Sequence, residues 1–300
     1  MNIKQLNYFY ELAQTKHFAK AAKACHVTQP TLSASIANLE KTMGTELVVR
    51  RSQFVALTQA GQIVLAYAEK ILQEQAALKQ ALTAFNGTLS GQLRIGIVPQ
   101  SNVDIMPIIQ RFNQHYPQMK IKLNVTTNNE LITQLEQHQI DIGLGFNDGL
   151  TQVQYRHFNV YPQGNPQMAV LFAENLNTNI KKITPAQLPN VNAQLNLVDL
   201  HLLPLVLLSQ NMQFRQYIDN ALAKSELDFN ILLETDSLFH LVSAVKQGIG
   251  CAIVSTGIAH SVYQMFDIHY QLIKGIDSGE TVFITRAQMT PAIDAFIALL

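Results

Sequence analysis

Residues 18–39, FAKAAKACHVTQPTLSASIANL, constrain the chain more than any other stretch. Phe18-Ala19 opens a short helix whose Ala21, Ala22 and Ala24 carry so little bulk that a second helix can cross it closely. The pattern breaks at His26-Val27. Thr28 then offers its hydroxyl to an unpaired helix N–H, and Pro30 falls in the first turn, where a missing N–H costs nothing. Leu32, Ile36 and Leu39 recur at helical spacing to about Glu40 and predict a buried stripe. Gln29, Thr31, Ser33, Ala34, Ser35 and Asn38 are left for the other faces. A helix pair whose second member has a small, polar outer surface suits a DNA groove.

The neighbouring sequence extends this reading to a winged helix-turn-helix. Ile3, Leu6, Phe9 or Tyr10, and Ala13 form the stripe of a scaffold helix packed behind the pair. After the helix stop at Met43-Gly44, short β-rich runs flank Arg50-Arg51-Ser52-Gln53 and predict a two-stranded wing. Arg50 and Arg51 are placed there for phosphates or the minor groove. Charge follows the same division. Although the chain is neutral overall, residues 1–61 hold seven Lys and Arg against three Glu, a net +4 that leaves −4 on the remainder. A basic head on an acidic body points to a polyanion partner for the head alone.

Thr58 caps a long helix, QAGQIVLAYAEKILQEQAALKQALTAF, in which Val64, Ile71, Leu78 and Phe85 lie seven apart, with Ala68, Gln75 and Leu82 four further on. That seam predicts self-association, and a dimer is what a helix-turn-helix uses to read two half-sites. Asn86-Gly87 and Ser90-Gly91 end the helix as a joint. From Gln92 strands and helices alternate. LRIGIV, KIKLNVT and IDIGLGF are strands of a first lobe, with helices over Val103–Tyr116 and Asn129–His138. MAVLF, LPLVLLS, NILLET and GCAIVS are strands of a second, and VFIT with a last helix from about Pro291 returns to the first. The fold expected is therefore α+β and multidomain: a winged helix-turn-helix over 1–61, a linker and dimerisation helix over 62–88, and a two-lobed α/β domain over 89–300. Lobe 1 takes about 89–161 and 268–300, and lobe 2 about 162–267. Parallel sheets of this kind bind ligands at the carboxyl ends of their strands.

Taken in order, Ala19, Ala21, Ala22, Val27-Thr28-Gln29-Pro30, Leu32-Ser33, Ile36, Leu39-Glu40, Gly44, Leu47, Arg50, Leu57-Thr58 and Ala60-Gly61 resemble the LysR-type transcriptional regulators, and Gly91, Leu93-Arg94-Ile95-Gly96 and Gly248-Ile249-Gly250 match that family's looser effector-domain signals. The resemblance covers nearly the whole chain. It implies a cytoplasmic, usually tetrameric regulator with a periplasmic-binding-protein-like sensor domain and a small-molecule effector. Its partners would be double-stranded promoter DNA, further copies of itself and RNA polymerase. Two features depart from the family pattern. Ala34 stands where many members have Arg, and Gln53-Phe54 replaces the usual glycine and extra base of the wing, which predicts a shallow salt slope for DNA binding.

By role, Gln29 is the candidate base reader, because its amide can pair with an adenine edge, and Thr31 the candidate contact to a thymine methyl. Thr28, Ser33 and Ser35 are phosphate candidates, with Pro30 in the same turn. Thr28 and Ser33 could instead do no more than cap and stabilise their helix. For the effector, strand-end loops supply Ser101 and Asn102 at the start of the first helix of lobe 1, Thr127 after its second strand and Asn147 after its third. Lobe 2 supplies Ser209 and Gln210, with Phe214 and Arg215 either in the wall of the site or one layer behind it. Helix N-termini favour an anion, so a carboxylate or similar small anion is the effector expected.

Other classes find less support. The nine histidines are scattered, and no H-E-x-x-H, C-x-x-C, G-x-S-x-G, P-loop or complete dinucleotide fingerprint appears, so neither catalysis, a metal nor a cofactor is expected. Cys25 and Cys251 fall in different predicted domains and read as structural thiols. The start, MNIKQLNYF, lacks a signal peptide's apolar run, and the apolar stretch Leu195–Leu208 is broken by Asp199, His201 and Pro204, so a cytosolic chain without a membrane span is expected. The rival reading is a solute-binding or sensing protein whose head binds a protein partner. A transferase on the same two-lobed fold is more distant.

Overall fold

The computed structural model describes residues 1–51, 54–173, 195–225, 227–266 and 268–300. These form two units, one built on Met1–Gly91 and the other on Gln92–Leu135, Ile140–Met289 and Ile293–Leu300.

In the first unit, α1 (Ile3–Thr15), α2 (Phe18–Ala24) and α3 (Gln29–Met43) precede the hairpin β1 (Val48–Arg51) and β2 (Phe54–Leu57), and α4 (Gln59–Phe85) follows. Asn2 and Gln5 cap the start of α1 reciprocally. Between α2 and α3 the chain reverses through His26 in the left-handed region, φ +55°, and the Val27 N–H returns to the Ala22 carbonyl. Leu6, Phe9 and Leu12 of α1, the alanines Ala21 and Ala22, and the stripe Leu32, Ile36 and Leu39 close one apolar core with Leu47, Val48 and Ala68. Each large aliphatic or aromatic side chain buried there contributes about 1.5–3 kcal/mol. Gly61 is required by close approach, since a Cβ on it would lie 2.1 Å from the Leu47 carbonyl oxygen.

α4 departs from the expected seam at its start. Val64 is half-buried and packs with Leu65 and Ala68 against the core of the first unit, so the seam's first position serves the chain's own domain. The reason is the helix's first two turns, which lie along that core. The apolar residues left exposed are Ile63, Tyr67, Ile71, Leu78, Leu82 and Phe85, a stripe at helical spacing beginning one residue earlier.

The second unit holds two sheets. In lobe 1 the order is β4-β3-β5-β13-β6, from β3 (Gly91–Ile97), β4 (Met119–Val125), β5 (Ile142–Phe146), β6 (Phe158–Pro162) and β13 (Thr281–Arg286). β3 and β5 run parallel, and β13 is antiparallel to β5 and β6. α5 (Met106–His115), α6 (Asn128–Glu136), α7 (Gln152–His157) and α11 (Pro291–Ile297) complete the lobe. In lobe 2 the order is β10-β9-β11-β7-β12-β8, from β7 (Met168–Phe172), β8 (Leu195–Asn196), β9 (Leu205–Leu208), β10 (Ile231–Thr235), β11 (Cys251–Ser255) and β12 (His269–Lys274), with α8 (Gln213–Lys224), α9 (Leu238–Lys246) and α10 (Thr256–Phe266).

Three expectations are corrected by this topology. Residues 269–274 belong to lobe 2, because β12 pairs antiparallel with β7 over His269↔Phe172 to Ile273↔Met168, and the return to lobe 1 is made by 275–280. Both sheets are mixed rather than parallel, since each gains strands where the chain crosses between lobes. Finally, α5 begins at Met106, so Ser101 and Asn102 precede it in a loop. Gln100 in the left-handed region, φ +67°, diverts the backbone before a helix can start.

Candidate functional site

The outer turn of α3 is open. Thr28 caps the helix by accepting from the Thr31 N–H at 3.4 Å, and its hydroxyl meets the Thr31 hydroxyl at 2.8 Å. Thr28, Gln29, Pro30 and Thr31 are exposed together at this end, while Ser33 and Ser35 are half-buried on the flanks. At the other end of α3, Glu40 Oε1 accepts from the Leu47 and Val48 N–H groups at 2.9 and 3.2 Å and fixes the base of the wing. Two backbone donors on one carboxylate make a rigid joint. The side chains of Arg50 and Arg51, and residues 52–53 with them, lie outside the described residues.

On α4 the exposed stripe runs the length of the helix, with Leu78 60% and Phe85 89% exposed toward its C-terminal end. Val64 takes no part in it, whereas Ile71, Leu78 and Phe85 do.

In the second unit, strand-end loops of the two lobes meet at two places. At the first, the Ser255 N–H, closing β11, donates to Gln100 Oε1 at 2.9 Å. Asn102 Oδ1 accepts from the Thr256 hydroxyl at 3.0 Å and the Gly257 N–H at 3.1 Å, capping α10 from the opposite lobe. At the second, Asp148 Oδ2 accepts from the Tyr217 hydroxyl at 2.6 Å and from Gln213 Nε2 at 3.3 Å. Burial first, and the Asp148 carboxylate second, push the Tyr217 phenol well above the usual tyrosine range. Asn147 exchanges hydrogen bonds with Glu280, its Nδ2 reaching Glu280 Oε2 at 3.0 Å.

The other expected effector residues sit as follows. Ser101 is buried and its hydroxyl faces the Val103 carbonyl at 3.4 Å. Thr127 accepts from the Glu130 N–H and donates to the Glu130 carboxylate, both at 3.3 Å. Hydrogen bonds from the Thr126 hydroxyl and the Thr127 backbone hold that carboxyl below the ordinary glutamate range. Ser209 donates its N–H to the Thr235 carbonyl, and Gln210 is exposed beside it. Phe214 lies in the apolar core of the domain beside Ile218, the buried one of the two places expected for it. Arg215 is fully buried, its Nε on Asp219 at 2.6 Å, its Nη1 on the Leu208 carbonyl at 2.7 Å and its Nη2 on Glu234 at 2.9 Å.

Sequence reasoning missed Gln100, Asp148, Tyr217, Ser255 and Asn128. Asn128 is buried and exchanges both of its amide hydrogen bonds with the Phe146 backbone, at 2.9 and 3.2 Å, which fixes the turn carrying Asn147 and Asp148. Its position straight after a strand, in the run Thr126-Thr127-Asn128-Asn129, was the one signal available. Among the described residues no helix is long and apolar enough to cross a membrane, and no group of three or more His, Cys, Asp or Glu could hold a metal ion.

Two family models match the chain. Residues 3–62 match the bacterial regulatory helix-turn-helix protein of the lysR family, and residues 86–300 match the LysR substrate binding domain. The chain belongs to the LysR family. Within that family, the hydrogen peroxide-inducible genes activator of Escherichia coli O6:H1 is 37% identical over 142 residues, 47% of this chain and 47% of its own length. The match thus spans about half of that relative. The nitrogen assimilation regulatory protein nac of Escherichia coli K12 is 28% identical over 266 residues, 87% of this chain and 81% of its own. Full-length CbnR, solved in complex with its target DNA, shares the LysR fold with a TM-score of 0.69 at 18% identity, covering 100% of this chain and 98% of that one.

Proposed function

We propose that this LysR-family chain is a cytoplasmic, ligand-responsive transcriptional regulator that binds promoter DNA sequence-specifically and performs no catalysis. The observation that carries this reading is the exposed first turn of α3, where Gln29, Pro30 and Thr31 project beyond a helix whose opposite stripe is fully buried. An amide and a methyl-bearing hydroxyl at the N-terminal end of a recognition helix are groups suited to base edges in the major groove, and the Thr28 and Ser33 hydroxyls suit the flanking phosphates. CbnR, similar over its length, is described bound to its target DNA.

The exposed stripe Ile71, Leu78, Leu82 and Phe85 supplies the means of pairing two such heads, because an apolar face this size is unfavourable in water alone. Pairing would align two recognition helices with two half-sites and raise affinity through linked binding. The effector site of this proposal is the seam where the strand-end loops of the two lobes face each other, around Gln100–Asn102, Thr127, Asn147, Ser209-Gln210 and Ser255. A small molecule bound there would favour one relative setting of the lobes by its differential affinity for it, and so bias the assembled heads toward or away from RNA polymerase at the promoter.

The test is a gel shift with the DNA immediately upstream of the chain's own coding region, run with and without candidate metabolites. A specific complex at moderate salt, altered in mobility or stability by one metabolite, supports the regulator. Its absence with a folded, self-associated protein contradicts it.

A further inference from the structure

The loops at the lobe seam carry an unusual electrical balance. Segments 98–105, 126–130, 147–151, 209–212, 236–237 and 256–257, with the crossings 163–167 and 275–280, contain Asp104, Glu130, Asp148, Asp236, Asp277 and Glu280, and not one Lys, Arg or His. Among the described residues none of these six carboxylates takes part in an ion pair. Their partners, where they have them, are neutral: Tyr217 and Gln213 for Asp148, Thr126 and Thr127 for Glu130, Asn147 for Glu280. Arg215, beside the seam, spends its three nitrogens on Asp219, Glu234 and a carbonyl, while Lys274 and His240 lie exposed at the borders of these segments.

Three of the helix starts at the seam carry a side-chain cap, whereas Met212 supplies none at α8. Asn102 occupies the Gly257 N–H at α10, Thr127 the Glu130 N–H at α6, and Ser237 the His240 N–H at α9. Two polar atoms at the seam are nonetheless left unsatisfied. Gln100 is 2% exposed and its Nε2 has no hydrogen-bond partner; Ser255 is 0% exposed and its Oγ has none. They flank the Gln100–Ser255 hydrogen bond itself, and Gln100 holds its place in the left-handed backbone region that a non-glycine residue adopts only when its surroundings compel it. Buried polar atoms without partners are uncommon, and a pair of them beside a strained residue marks a place for something to bind.

Resting on the regulator reading above, we infer that the effector carries a carbonyl or hydroxyl oxygen for Gln100 Nε2 and Ser255 Oγ and bears no net negative charge. The anionic effector expected from helix N-termini is thereby replaced. An amide or polyol meets the unsatisfied pair without opposing the six carboxylates, and a cationic group elsewhere on the same molecule is favoured by them. A carboxylate or phosphate meets an excess of like charge in these loops, which hold six carboxylates and not one Lys, Arg or His.

The experiment uses matched probes on the full chain: nicotinamide against nicotinate, benzamide against benzoate and succinamide against succinate, each titrated to millimolar concentrations while the melting temperature is followed. The expected result is stabilisation by at least one amide, at least about tenfold tighter than its acid partner, the factor that corresponds to one pKa unit of differential interaction. The response is lost in Gln100→Gly, which suits the left-handed backbone while deleting the amide, and is weakened in Ser255→Ala. Tighter binding of an acid than of its amide, or no Gln100-dependent response to any amide, overturns the inference. A parallel gel shift with upstream DNA separates the two readings. A chain that binds its DNA but prefers the acids loses only the charge assignment, whereas one that fails to bind specific DNA loses the regulator reading.

Discussion

Tyr217 donates its hydroxyl to Asp148 Oδ2 across 2.6 Å, tying α8 of one lobe to the turn after β5 of the other. The phenol is buried edge-on against Phe146, ring centroids 5.3 Å apart, whereas Asp148 is exposed. Tyr217→Phe should therefore lower the stability of the effector domain by about 1–2 kcal/mol, since the carboxylate regains water when the hydroxyl is removed. Urea denaturation at neutral pH measures it.

The same residue sets an alkaline limit. The folded phenol titrates above its unfolded value, so its contribution is fully present below the unfolded pKa and is lost as pH rises through the region above about 10. Melting temperatures scanned through that region should fall less steeply in Tyr217→Phe than in the parent chain.

Asp141 is shared by two guanidiniums. Arg94 holds it through Nε at 3.0 Å and Nη2 at 2.6 Å, Arg286 Nη2 approaches at 3.3 Å, and all three side chains are largely buried. Asp141→Asn removes the carboxylate that both guanidiniums share and should destabilise lobe 1 by about 3 kcal/mol. A loss below one third of that in chemical denaturation would assign the cluster a lesser role.

Deleting the exposed stripe on α4 should affect assembly and leave the fold of the chain alone. Leu78→Asp with Phe85→Asp changes side chains that are 60% and 89% exposed. Monomer stability should move by less than about 0.5 kcal/mol for each. Sedimentation should show a smaller particle, and affinity for DNA should fall with it.

Neither thiol is suited to peroxide chemistry. Burial pushes Cys251 up to about 12, and burial followed by Glu11 raises Cys25, so both remain protonated at neutral pH, when the thiolate is the reactive species. A protein exposed briefly to dilute hydrogen peroxide should keep its intact mass and its DNA binding. The peroxide-inducible relative is thus similar in sequence without implying that response here.

Which features were legible in the sequence follows from how local their causes are. The α3 cap at Thr28, Pro30 in the first turn and the Leu32, Ile36 and Leu39 stripe are set within fifteen residues, and the structure places them as expected. Val64 was misread because heptad spacing cannot say which neighbour a helix face meets, and Ala68 drew that turn into its own domain core. β12 was missed because its sequence, HYQLIK, has no turn signal before it and its pairing with β7 joins residues about a hundred positions apart. At the effector seam the loops were found, but Gln100 with Ser255 and Asp148 with Tyr217 meet only through the topology, 155 and 69 residues apart. Helix starts alone suggested an anion; the caps that Asn102 and Thr127 supply at α10 and α6 come from residues whose partners could not be read from the sequence.

The central claim is sequence-specific reading of DNA by the first turn of α3, and competition binding tests it most directly. The chain's own upstream DNA and a shuffled duplex are compared by fluorescence anisotropy at moderate salt for the parent protein, Gln29→Ala and Arg50→Ala. The parent should prefer its upstream DNA by at least about a thousandfold. Gln29→Ala should lose about 1–3 kcal/mol of that discrimination, and Arg50→Ala should weaken both duplexes alike and lower the salt slope by about 1. Equal affinity of the folded parent for both duplexes, or equal losses on both for Gln29→Ala, would contradict the account.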